Sequence, residues 1–132
     1  MHNILLTFGG HIKLSDYMWP SLCPSATFAK DGSSGRVLYA APEVFEGRMV
    51  PKSDVWSLGI ILIQLAEGVN PYERCSNLGD LRRSVCEGQA PSLPCGKWSP
   101  FLMDFVQRCV AKNVEERWSV AELLQVDSSL CE

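Results

Sequence analysis

The stretch KSDVWSLGIILIQLAEG, residues 52–68, constrains the fold more than any other part of this sequence. Val55, Leu58, Ile60, Ile61, Leu62, Ile63, Leu65 and Ala66 cannot share one narrow stripe of a helix, so the helix they predict is apolar on every side. Aliphatic area left in water costs about 25 cal/mol per Å². Such a helix is expected at the centre of a domain, clad by the other elements. Ser53 is its expected N-cap, Asp54 complements the dipole in its first turn, and Gly68 suits the position just past its end. Ser57 and Gln64 interrupt the run 55–66, which is shorter than the roughly 20 residues of a membrane-crossing helix. A buried post is predicted, and no membrane span.

Candidate cladding lies on both sides of it. Residues 4–7 and 11–15 are short β-prone runs separated by Phe-Gly-Gly, with Ile12 and Leu14 alternating as in a half-buried strand. Residues 16–36 are rich in Pro, Gly and Ser and predict a long loop. A surface helix is predicted over 78–87, with Leu78, Leu81 and Val85 on one face and Arg82 and Arg83 on the other. The next opens with Ser99 and Pro100 and carries Phe101, Leu102, Phe105, Val106, Cys109 and Val110 as one stripe. The last, 119–126, begins with a Ser119/Glu122 capping box and is expected to bury Val120, Leu123 and Leu124.

Composition narrows the function classes. With 46% hydrophobic and 20% charged residues in 132, one packed domain is expected. The net charge is −3 and the basic residues are scattered, which gives no footprint for nucleic acid or an anionic membrane surface. The start, MHNILLTFGG, has no basic leader and is a poor secretory signal, so a cytoplasmic or nuclear address is expected. None of the six cysteines forms a Cys-x-x-Cys pair, and Cys86 and Cys109 fall in phase with apolar helix faces; buried free thiols are expected. His2 and His11 lack ligand-like spacing to any cysteine pair.

Several short motifs stand in a telling order. Asn3-Ile4-Leu5-Leu6 and His11-Ile12-Lys13-Leu14-Ser15-Asp16 come first, then Tyr39-Ala40-Ala41-Pro42-Glu43. Asp54-Val55-Trp56-Ser57-Leu58-Gly59 follows, and Glu116-Arg117 precedes the last helix. In this order and spacing the chain resembles the eukaryotic protein kinase family. Tyr39 leans toward its Ser/Thr branch. The resemblance covers nearly all of residues 1–132, but only the latter half of a catalytic domain, from the end of the catalytic loop onward. It implies a mainly α fold, a C-lobe fragment with a short N-terminal β-hairpin and a buried central helix. Residues 16–43 would be the activation and substrate-docking segment, and no N-lobe is expected.

The same resemblance implies roles. Asp54 matches the helix-start aspartate that anchors the catalytic loop, beside its plain reading as a first-turn acid; Trp56 and Gly59 belong to the same structural motif. Glu43 is expected to pair with Arg117 and hold the docking segment against the helical base. Asn3 and Asp16 match the positions that hold magnesium, and with it ATP, in the full-length family. Their plain readings are a turn asparagine and a strand-end aspartate.

Other positions depart from the family. Asp-Phe-Gly reads Asp16-Tyr17-Met18, and methionine lacks the backbone freedom of glycine at the start of the activation loop. Gly-Thr ahead of the Pro-Glu segment reads Gly35-Arg36. Gly32 and Gly35 are too little for a phosphate-cradling loop; the strand lysine, its glutamate partner and His-Arg-Asp are not found. Phosphoryl transfer depends on those parts, so this chain alone is expected to bind no cofactor and to be inactive. Two functions are therefore carried forward, the docking half of a Ser/Thr kinase and a pseudokinase-derived scaffold. Either acts on a protein substrate or partner, not on nucleic acid or membrane.

Overall fold

A computed structural model of the chain describes residues 4–15 and 37–125. The long loop expected over 16–36 lies outside them. Strands β1 (Ile4–Leu6) and β2 (Ile12–Leu14) pair antiparallel, with Ile4 opposite Leu14 and Leu6 opposite Ile12. Thr7 closes the turn: its N–H donates to the His11 carbonyl at 2.9 Å and its hydroxyl accepts from the His11 N–H at 3.0 Å. The alternation predicted a half-buried strand, but Ile12 and Leu14 are 68% and 69% exposed. All six strand residues are exposed, so the expected cladding by the hairpin is not found. Among the described residues this two-stranded ribbon meets no second layer to bury a face against.

Two 3₁₀ turns, Val37–Tyr39 and Pro42–Glu46, lead into helix α1 (Pro51–Glu67). Ser53 is not its N-cap. Proline at the first helical position fixes φ in the helical range, so the helix starts earlier, with Val50 as N-cap. Ser53 becomes the third helical residue, and its hydroxyl accepts from the Val50 N–H at 3.2 Å. At the far end Gly68 adopts φ 77° and donates to the Gln64 carbonyl, a left-handed turn that glycine takes without strain.

Helix α2 (Leu78–Cys86) is capped by Asn77, whose side chain accepts from the Asp80 N–H at 2.9 Å. It buries Leu81 and Val85 and packs on the Pro42–Glu46 turn. Helix α3 (Pro100–Cys109) starts at the Ser99 cap and crosses α1, burying Val106 and Cys109, with Val110 just beyond. The crossing is set by Gly59: a Cβ there would lie 2.5 Å from Val110 Cγ1 and 2.8 Å from Cys109 Cβ. Helix α4 (Val120–Leu124) carries the Ser119/Glu122 capping box, with Glu122 Oε2 accepting from the Ser119 N–H at 2.7 Å. Of its expected buried residues only Leu123 is buried; Val120 and Leu124 are exposed, because the short helix turns one residue inward.

The core gathers Val37, Ala41, Val55, Trp56, Ile60, Tyr72, Leu81, Val85, Val106 and Leu123 around α1. One face of α1 is only partly covered, with Ile61 half-buried at its middle. Asp54, Leu58, Ile61 and Leu65 fall at helical spacing, and Leu58 and Leu65 are 38% and 65% exposed. The post is therefore central but not clad on every side. No helix among the described residues is long and apolar enough to cross a membrane.

Candidate functional site

The Pro42–Glu46 turn sends Glu43 inward, where water is excluded and a carboxylate must find partners. Arg117, on the segment before α4, meets it. Nη1 donates to Glu43 Oε1 at 2.6 Å and Nη2 to Oε2 at 3.0 Å, a two-pronged pair with both side chains buried. Ser53, on the first turn of α1, donates its hydroxyl to Glu43 Oε1 at 2.7 Å.

The remaining guanidinium donors are also used. Nε donates to the Ala111 carbonyl at 2.9 Å and Nη1 to the Lys52 carbonyl at 3.0 Å. The guanidinium carbon lies 5.2 Å from the centre of the Trp56 ring, so the cation rests on a π face. Lys52 reaches across to the carbonyls of Val114 and Glu115 at 3.0 and 3.2 Å. Trp118 stacks against the Arg108 guanidinium at 4.1 Å, which fixes the strand of chain that presents Arg117.

This arrangement fastens three separate pieces of chain at one point: the 42–46 turn, the start of α1 and the segment before α4. A second fastening lies one helical turn further along α1. Ser57 donates to the Tyr39 carbonyl at 2.8 Å, and the Tyr39 hydroxyl donates to Gln64 at 2.6 Å. Burial alone would raise the Glu43 carboxyl; hydrogen bonds from Arg117, Ser53 and backbone, with the guanidinium charge, outweigh it and hold the group below its ordinary value. Glu43 is thus held as the anion. Its two oxygens accept three hydrogen bonds from Arg117 and Ser53, and the group is buried away from any reacting partner, so the cluster is a clamp.

Of the residues singled out in the sequence, Glu43, Arg117 and Trp56 come together in this clamp, and Gly59 lies at the α1–α3 crossing. Asp54 is exposed in the first turn of α1, where its charge faces the positive end of the dipole. Asn3 and Asp16, with the departures at Met18 and Arg36, lie outside the described residues. The hairpin register does pair Ile4 with Leu14, so the chain enters and leaves the hairpin at one end. Sequence reasoning missed Ser53 as a Glu43 partner and missed the carbonyls of Lys52 and Ala111. A signal for the first was present, since Pro51 two residues earlier already marks the helix start. Among the described residues no group of three His, Cys, Asp or Glu side chains could hold a metal ion. Cys75, Cys86, Cys95 and Cys109 are free thiols, but only Cys109 is buried as expected; Cys75 and Cys86 are half-buried and Cys95 is exposed, and burial pushes Cys109 up to about 11.

Comparison with known proteins agrees with this geometry. Residues 1–127 match the family model described as the protein kinase domain. The chain is 39% identical over 127 residues to the serine/threonine-protein kinase Tao of Drosophila melanogaster, covering 92% of this chain and 12% of that protein. It is 36% identical over 126 residues to the serine/threonine-protein kinase pakH of Dictyostelium discoideum, covering 92% and 24%. With the mitogen-activated protein kinase kinase SIPKK of Nicotiana tabacum it shares 31% over 130 residues, covering 93% and 36%. The chain thus spans between an eighth and somewhat over a third of the length of these relatives.

Proposed function

The chain belongs to the protein kinase domain family, and from that premise we propose that it is the substrate-docking half of a Ser/Thr-type catalytic domain. In its complete form the domain phosphorylates a protein substrate. The observation that carries the reading is the buried Glu43–Arg117 pair, closed by Ser53, which joins the Ala-Pro-Glu turn to the helical base. A docking surface must keep its shape when a substrate segment presses on it, and a satisfied buried network supplies that rigidity.

ATP and magnesium would supply the phosphoryl group and neutralise its charge in the complete domain. Asn3 and Asp16 are the positions we assign to the metal, on the sequence resemblance. Taken alone, this chain does not transfer phosphate, because no glycine-rich loop, strand lysine or catalytic base stands in its sequence. A second reading, a scaffold derived from a pseudokinase, is favoured by Met18 and Arg36, which replace the glycine and threonine that support the family's site.

Thermal melting with increasing Mg-ATP separates these. A ligand at a hundred times its dissociation constant stabilises by about 2.7 kcal/mol. No shift is expected for this chain; a clear shift would overturn the expectation that it binds no cofactor and would give Asn3 and Asp16 a working metal site. A longer version carrying an upstream half should shift and phosphorylate a protein substrate under the kinase reading. Under the scaffold reading it should do neither.

A further inference from the structure

Away from the clamp, the turn before α2, the helix itself and the segment that follows it enclose an open groove of about 710 Å³. Tyr72, Arg74, Asp80, Arg83, Ser84 and Gln89 are among its walls. Arg74 and Arg83 are exposed, and among the described residues neither guanidinium has an ion-pair or hydrogen-bond partner. Asp80 is engaged: it accepts from the Asn77 side chain at 2.8 Å. Two open guanidiniums beside one occupied carboxylate make this a locally positive site on a chain of net charge −3. Tyr72 is buried, and its hydroxyl has no hydrogen-bond partner.

The wall formed by residues 88–92 adds a second feature. Residues 89–94 are neither helix nor strand and make no backbone hydrogen bond among the described residues, while Leu93 is buried and pins the segment to the core. Apart from Pro91 and Pro94, which have no N–H, this fixed irregular stretch offers free peptide groups to an extended peptide alongside it, and unpaired arginines beside it select carboxylates. The volume lies within the range of built ligand sites, about 300–1,000 Å³.

We propose that the groove between the 71–75 turn, α2 and residues 88–92 is a docking site for an extended acidic protein segment, its carboxylates held by Arg74 and Arg83. The proposal stands whether or not the chain is part of an active kinase.

Fluorescence anisotropy with a fluorescein-labelled peptide of alternating glutamate and glycine tests it on the full chain. Saturable binding that weakens as sodium chloride rises is expected, and no binding of the matching lysine peptide. Arg74→Glu with Arg83→Glu should weaken binding at least about tenfold, whereas Arg82→Glu, on α2 but outside the groove, should change it by less than about twofold. Should the double variant not fold, amide chemical shifts of the unmodified chain with the same peptide decide, and changes centred on 72–75 and 83–92 are expected. Absence of saturable binding, equal loss in Arg82→Glu, or shifts centred elsewhere would overturn the proposal. So would displacement of the peptide by inorganic phosphate at equal concentration, which would mark a simple anion site.

Discussion

Glu43 is bound to Arg117 by two hydrogen bonds and to Ser53 by a third, all out of water. Removing one charge of such a pair strands the other, at a cost of about 3–5 kcal/mol. Glu43→Gln should therefore lose stability on that scale in urea unfolding, and Glu43→Gln with Arg117→Met should recover part of it, since no stranded charge remains. The pH dependence follows from the lowered pKa of Glu43. Its stabilisation is complete above the ordinary carboxylate value and is lost as pH falls through the folded value below it. The unmodified chain should lose stability through that acid window, and Glu43→Gln should be flatter there; equal slopes would contradict it. The partners are 74 residues apart, so no local periodicity links them, and only the order of the motifs led from one to the other. Ser53 was misread for a local reason: a serine before an acid looks like a cap, yet the proline ahead of it had already begun the helix.

Among the elements, α1 and α3 depend on a missing side chain. Alanine is about 1 kcal/mol better than glycine inside a helix, but at Gly59 its methyl would press into Val110 and Cys109. Overpacking of this kind costs about 1–3 kcal/mol, so Gly59→Ala should lower the melting temperature despite its better propensity. A rise would show that the helices have room to separate. At the other end of the chain, Ser119→Ala should cost α4 about 1 kcal/mol, with amide exchange quickening over 120–124 before the rest. Helix α3 was readable because its cap, proline and stripe agree. The hairpin and α4 were legible in type but not in burial: alternation and periodicity say which side chains share a face, not whether another element covers it. Ile12, Leu14, Val120 and Leu124 all fall to that ambiguity.

At the scale of the molecule, Leu58 and Leu65 on α1 and Leu5, Leu6, Ile12 and Leu14 on the strands are exposed apolar side chains, of the kind through which copies associate when they form one patch. Sedimentation of the isolated chain should show association or aggregation, reduced by Leu65→Glu, which lies on the partly covered face of α1; a monomer melting cooperatively would contradict this. The clamp is the feature on which the reading of the chain rests, and hydrogen exchange across it is the most direct test. Compared with the unmodified chain, Glu43→Gln should lose protection at residues 37–46 and at the first turn of α1, while the centre of α3 keeps its own. Unchanged protection at 37–46 would mean that the Glu43–Arg117 pair does not hold the docking turn to the helical base.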